Sequence, residues 1–212
     1  YRGTRINLGR TGEAGRKKSI ILQGVSADTT GLNWQNYQTS GEPGGAVLFG
    51  TVLDGGFRIN TYGCQIHFKN LLLKAPTTAP NLLFEGKLDD ETITSNNVLA
   101  TGGFRIQDCK FIGGDPAIHV TGLNTGVAGH QNWNVLIERI HIRETIRGIV
   151  IDDAGGTDYN SIFRGNIKHV IIQALSGQAI NVDIANLKGV WEDFLIEDCG
   201  SGSTPTVSFR CA

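Results

Sequence analysis

A chain of 212 residues with a net charge of −1 can build one substantial core and carries no global field that would draw nucleic acid. Its 29 glycines are about twice ordinary usage, which suits a turn-rich β architecture. No apolar run reaches the roughly 20 residues of a membrane-spanning helix, so membrane insertion is not expected. Residues 1–19 are a basic, glycine-rich lead-in, with Arg2, Arg5, Arg10, Arg16, Lys17 and Lys18 against Glu13. The run GEAGRKKS lacks phosphate-loop spacing, because Gly15 is followed by Arg16 and not by a Lys-Ser pair. A solvated loop entering a strand is expected there instead. Residues 19–62 read as early coils, SIILQG, AVLFG and GFRIN, split by a polar insertion that holds Trp34 and Tyr37.

From residue 63 to 212 a short motif returns five times. It reads FKNLLLKA from Phe68, IQDCKFIG from Ile106, IERIHIRE from Ile137, IKHVIIQA from Ile167 and WEDFLIED from Trp191. The first, fourth and sixth residues are apolar: Phe68, Leu71 and Leu73, then Ile106, Cys109 and Phe111, and so on to Trp191, Phe194 and Ile196. Apolar residues two apart mark one buried strand face. The third residue breaks the alternation in every copy (Asn70, Asp108, Arg139, His169, Asp193), as a bend between two strands would. Starts at 68, 106, 137, 167 and 191 leave gaps of 38, 31, 30 and 24 residues, so a fixed unit carries insertions of variable length.

Downstream of four copies lies a second strand: AIHVT from Ala117, GIVID from Gly148, AINVD from Ala179 and TVSFR from Thr206. Two strands per repeat feed two sheets, and no capped helical pattern intervenes. The leucine and asparagine consensus of a leucine-rich horseshoe is missing. The fold class expected is all-β: a single-stranded parallel β-helix of about 6–8 coils, one domain over 1–212, with no regular α-helix. Neither end carries a recognisable cap, and no signal peptide is seen, so a piece of a longer protein is expected. Cys64, Cys109 and Cys211 fall on the inward strand phase, Cys199 at a turn, and their spacing fits no zinc site. Reduced core thiols favour folding in a reducing cytoplasm.

The segment GRKKSIILQGVSADTTGLNW (15–34) resembles the opening coil of the pectate-lyase-like β-helix proteins, where an I-x-L-x-G strand precedes a Ser/Asp/Thr-rich turn. That resemblance implies the right-handed form of the helix. The superfamily includes polysaccharide lyases, glycoside hydrolases of the polygalacturonase type, and trimeric bacteriophage tailspikes and fibres. Polygalacturonase motifs run NTD, DD, GHG, RIK, whereas this chain has NTG at 124–126, GHQ at 129–131 and DD at 152–153. Uneven insertions and free cysteines fit a phage tail protein better. The resemblance then implies a virion component folded in the bacterial cytoplasm, a homotrimer that meets other tail proteins and a bacterial surface polysaccharide. A secreted pectinase-like enzyme is the other member of the family to weigh, and it predicts a monomer.

Chemistry must come from outward residues, because the interior of such a stack is packed. Equal phase in successive strands stacks side chains about 4.8 Å apart, which sets Asp152 over Asp183 with Thr121 alongside. Asp153 and Asp158 lie in the adjoining insertion DDAGGTDYN. Two such carboxylates match the acid–nucleophile pair of a retaining glycosidase, and Asp153 or Asp158 could serve as the wider partner of an inverting one. Crowding should raise one carboxyl towards the proton-holding range of a general acid. Solvated turn aspartates and a divalent-cation site are the alternatives; no metal and no cofactor is expected. The bend row Asp108, Arg139, His169 and Asp193 reads as a salt-bridge ladder, or, in a lyase, as Arg139 or His169 abstracting a proton beside a uronate. His141 stacked on Lys110, and Arg143 with Glu144, extend that polar face. His130 and Trp133 sit in the insertion LNTGVAGHQNW, where binding residues concentrate; Trp133 either stacks on a sugar or plugs the core. Two functions remain open on these residues: hydrolysis of a bacterial glycan, or adhesion and structure without catalysis.

Overall fold

The computed structural model describes residues 6–8, 19–23, 47–49, 57–60, 65–75, 79–85, 99–101, 103–121, 130–152, 162–184, 186–200 and 205–211. These residues are all-β, with no helix among them, and every strand pair is parallel. The early strands are β1 (Ile6–Leu8), β2 (Ser19–Gln23), β3 (Val47–Phe49), β4 (Phe57–Asn60), β5 (Gln65–Lys69), β6 (Leu72–Ala75), β7 (Leu82–Glu85) and β8 (Leu99–Thr101). The later ones are β9 (Phe104–Gly113), β10 (Ile118–Thr121), β11 (His130–Arg143), β12 (Ile149–Asp152) and β13 (Ile162–Leu175). They end with β14 (Ile180–Ile184), β15 (Asn186–Lys188), β16 (Trp191–Cys199) and β17 (Val207–Cys211).

From β9 to β15 successive strands alternate between two sheets, and β16 follows β15 in the larger one before β17 returns to the smaller. The smaller one has the order β1-β4-β7-β10-β12-β14-β17 among the described residues. The larger contains β15-β13-β11-β9-β5-β2, with β16 on β13, β8 on β11, and β3 and β6 continuing the row beside β9.

Register follows the motif without a slip. Phe68 pairs with Ile106, Ile106 with Ile137, Ile137 with Ile167 and Ile167 with Trp191. Leu73, Phe111, Ile142, Ile172 and Ile196 form the matching row. In the smaller sheet Ile118, Ile149, Ile180 and Val207 align. Phe68, Ile106, Phe111, Ile142, Ile167, Ile172, Ile149 and Val182 are buried in one cluster. Full burial of side chains of this size contributes about 1.5–3 kcal/mol each. Phe84 stacks on Phe104 at 3.8 Å, joining the two sheets across that core.

The bends have a common backbone cause. Asn70, Asp108, Arg139, His169 and Asp193 all adopt left-handed φ, between 50° and 59°. One left-handed residue turns the strand and restarts the alternation out of phase, which is why the motif reads first, fourth and sixth. A second corner follows five residues later at Gly113 (φ 67°), Glu144 (53°), Ala174 (54°) and Asp198 (51°). Composition does not betray it, since only one of the four is glycine. Left-handed geometry costs a residue with a Cβ about 1–2 kcal/mol, and glycine about 0.5–1 in added unfolded-chain freedom. Ala174→Gly should therefore raise the unfolding free energy by about 0.5–1 kcal/mol. Urea denaturation would measure it, and a loss of stability would refute the corner geometry.

Two further features were not read from the sequence. Leu82–Glu85 belongs to the smaller sheet, pairing Leu82 with Ile118. A short ladder of Leu99–Thr101, the start of β11, the start of β13 and Asn186–Lys188 also precedes each motif copy from β9 onward. Where that ladder meets the motif, the register shifts between Asn132 and Val135. The chain also needs a bare backbone nearby, because any side chain on Gly189 would run into the Gly165 carbonyl.

Candidate functional site

The expected row in the smaller sheet is present. Strand pairing brings Thr121, Asp152, Asp183 and Arg210 into line on β10, β12, β14 and β17. Thr121 donates its hydroxyl to Asp152 Oδ1 at 2.7 Å, and His119 Nε2 lies 2.9 Å from Asp152 Oδ2. Asp183 is gripped from the other side, accepting Arg210 Nε on Oδ1 at 2.8 Å and an Nη hydrogen bond on Oδ2. Two carboxylates in register thus have different surroundings.

That difference settles how Asp183 titrates. The Arg210 hydrogen bonds and charge hold its carboxyl below the ordinary value, against smaller opposing effects of burial and of Asp152. Mutual crowding was expected to raise a carboxyl; at Asp183 the bidentate guanidinium outweighs it. Asp183 is therefore an ionised group, suited to a nucleophile or base and not to a general acid. Because its folded pKa is depressed, the ion pair's contribution to stability is present above the unfolded value and is lost as pH falls through the folded one. Arg210→Gln should move the Asp183 carboxyl titration upward, followed by carbonyl NMR shifts; an unchanged titration would dissociate the depression from Arg210.

Asp152 keeps a contact that works in either protonation state. Ionised, it accepts a hydrogen bond from the imidazole N–H; protonated, it can donate one to Nε2, according to the tautomer. Thr121 orients the other oxygen. Among the sequence-derived candidates, Asp153 and Asp158 lie outside the described residues. Sequence reasoning missed His119 and Arg210. Arg210 was legible, since it is the fifth residue of the fourth downstream strand, in line with Asp152 and Asp183.

The bend row is present as closed pairs. Arg139 donates Nε to Asp108 Oδ1 at 2.6 Å and Nη2 to Oδ2 at 3.2 Å, while Nη1 reaches Glu138 at 2.7 Å. The Asp108 hydrogen bonds, the largest influence, and both acids' charges drive the Arg139 pKa further upward against the opposing effect of burial. A guanidinium held this way does not take up a substrate proton, which removes Arg139 as a lyase base. His169 Nδ1 meets Asp193 Oδ2 at 2.5 Å, and both are exposed.

Three expected positions are corrected. His130 and Trp133 are not in a loop: β11 begins at His130, because His130–Asn132 pair with Leu99–Thr101, and Gln131 and Asn132 also pair with Ile162 and Phe163. His141 lies in the outward phase of its strand, but that face is covered there. It is 2% exposed, in register between Lys110 and Ile171, with Nε2 2.9 Å from Gln173 Oε1. A polymer cannot reach it there. Arg143 Nε lies 3.1 Å from Glu144 Oε1, as expected, though without hydrogen-bond geometry.

Cys109 is a buried free thiol whose pKa burial pushes up to about 12, so it is inert packing. Cys199 is free as well, and half-buried against the core. Cys64 is outside the described residues. Among the described residues no group of three or more His, Cys, Asp or Glu is placed to hold a metal ion.

No family model, curated protein or solved structure matches this chain.

Proposed function

We propose that the chain is a right-handed parallel β-helix of the bacteriophage tailspike or tail-fibre kind, which binds a host surface polysaccharide and hydrolyses it. The β-helix reading is supported by parallel strands alternating between two sheets in constant register. The hydrolytic reading rests on one observation: Asp152 and Asp183 share a register on adjacent strands yet sit in contrasting environments. Glycosidases need that contrast, one carboxyl to give a proton and one to stay charged. Asp183, ionised beside Arg210, is the nucleophile or base; Asp152, coupled to His119, is the proton donor. On this reading the partners are the glycan, two further copies in a homotrimer and other tail proteins, within the virion.

A non-catalytic adhesion or structural role is the second reading, favoured by the closure of the ion pairs Asp108–Arg139 and Asp183–Arg210. Closed pairs make a stable outer surface without any chemistry. Mass spectrometry of a panel of bacterial surface polysaccharides after incubation with the protein separates the readings. Fragments that have gained water support the hydrolase. Unsaturated ends would indicate a lyase, with His169 as the remaining base. Intact but retained polymer would leave adhesion.

A further inference from the structure

We propose that copies of this chain join end to end, the edge strands β16 and β17 of one copy pairing with β2 and β1 of the next so that both sheets continue. The burial pattern locates the two joining surfaces. Ile167, Val170 and Ile172 are buried, whereas their register partners on β16, Trp191, Phe194 and Ile196, are half-buried. In the smaller sheet Ile180 and Val182 are buried, while their partners on β17, Val207 and Phe209, are 39% and 51% exposed. The opposite edge repeats the pattern. Ile66 and Phe68 are buried, and their partners Ile20 and Leu22 on β2 are half-buried. Leu22 and Trp191 stand at the two ends of one register row through Phe68, Ile106, Ile137 and Ile167. A second copy, shifted along the stack, brings its Leu22 beside Trp191, and the row runs on.

Strand direction admits this junction. Among the described residues the larger sheet has β2 at one edge and β15 with β16 at the other, and the smaller runs from β1 to β17. The pairings that hold these edge strands are all parallel. An edge strand offers a row of backbone N–H and C=O groups to any chain that can pair with it. A shifted copy pairs there in the same sense as the strands inside the molecule, with no reversal of direction.

Charge selects the partner. β16 carries Glu192, Asp193, Glu197 and Asp198 and no cation. Asp193 meets His169, but Glu192, Glu197 and Asp198 form no ion pair among the described residues. At the other edge β2 follows directly in sequence on Arg16, Lys17 and Lys18, in a lead-in whose one acid is Glu13. Two β16 edges related by a twofold axis would set acids against acids, and like charges facing each other across strands repel. An acidic edge meeting a basic one is the attractive combination. Such a contact joins unlike surfaces, so it does not close on itself and grows as a filament.

The inference stands apart from the glycan reading, because it uses the edge strands and not the Asp152–Asp183 pair. Sedimentation velocity and negative-stain electron microscopy of the 212-residue chain test it. Expected are rods that lengthen with protein concentration and shorten as salt rises. Glu192→Lys combined with Glu197→Lys should weaken association about 10- to 100-fold. Arg16→Glu combined with Lys17→Glu and Lys18→Glu should weaken it to a similar degree. Mixing the two variants should restore rods, because each junction then again joins an acidic end to a basic one. Each variant should melt at the parent's midpoint; where one melts lower, the mixture decides, since a misfolded chain cannot restore rods. A monomer at every concentration, an assembly of fixed size, association indifferent to salt and to both variants, or no rescue on mixing would overturn the proposal.

Discussion

Asp152→Asn is expected to lower glycan cleavage by about 10²–10⁴-fold while the protein still holds its polymer. Asparagine keeps the shape of the side chain and an oxygen to accept the Thr121 hydroxyl, which lies 2.7 Å away in the parent. Its amide can still face His119 Nε2, 2.9 Å from the carboxylate oxygen it replaces. What it cannot do is carry a titratable proton to a leaving group. The substitution therefore removes acid catalysis and little else. Reducing-end release and polymer co-sedimentation, measured on the same preparation, read the two properties separately. Cleavage at the parental rate would dismiss Asp152 as the acid. Loss of both activities would mean that the carboxylate serves binding instead. Asp183→Asn is a less clean probe, because it also leaves the Arg210 guanidinium facing a neutral partner.

Phe111→Ala should cost about 3–5 kcal/mol of unfolding free energy, the usual range for a large buried aromatic. Phe111 is fully buried and pairs in register with Leu73 on one side and Ile142 on the other. Deleting its ring opens a void against both neighbouring strands. In a stack whose repeats touch mainly the next repeat, the lost contacts weaken two interfaces at once. Phe209 supplies the contrast, since it points into the same phase but is 51% exposed. Phe209→Ala should cost distinctly less, because much of its ring already contacts solvent. Equilibrium urea unfolding gives both values, and equal costs would contradict the burial gradient.

The strand columns were legible because two independent signals coincided. Alternation gave the inward phase at Ile106, Ile137 and Ile167, and repetition gave the register between them. The bends were legible from a break in alternation, and all five have left-handed φ. The second corner was not, because Glu144, Ala174 and Asp198 share no chemistry; tertiary stacking holds them there despite their propensities. The ladder beginning at Leu99, His130, Ile162 and Asn186 was also hidden, since LAT, HQN, IFR and NLK carry no common apolar phase. His141 and Lys110 exposed the limit of the alternation argument. Alternation separates the two faces of a strand but does not say which face is covered, and both residues are buried in the polar phase. At the candidate site the Asp152–Asp183 register was readable, whereas His119 lies one strand away and two residues earlier than the row. Side-chain reach across strands is not encoded in spacing.

The five-residue step between corners has a further consequence. It holds at 108 and 113, 139 and 144, 169 and 174, and 193 and 198, although the distance between these repeats varies from 24 to 31 residues. All tolerance for length change is therefore exiled to the connections, such as the one from Asp152 to Ile162. Foreign peptides can be grafted into those connections while the corner-to-corner stretch keeps its phase. A single-residue deletion between Arg139 and Glu144 has no such refuge: it would rotate every following side chain to the wrong face until the next corner. Length can vary between the copies, but the gauge within each copy is fixed.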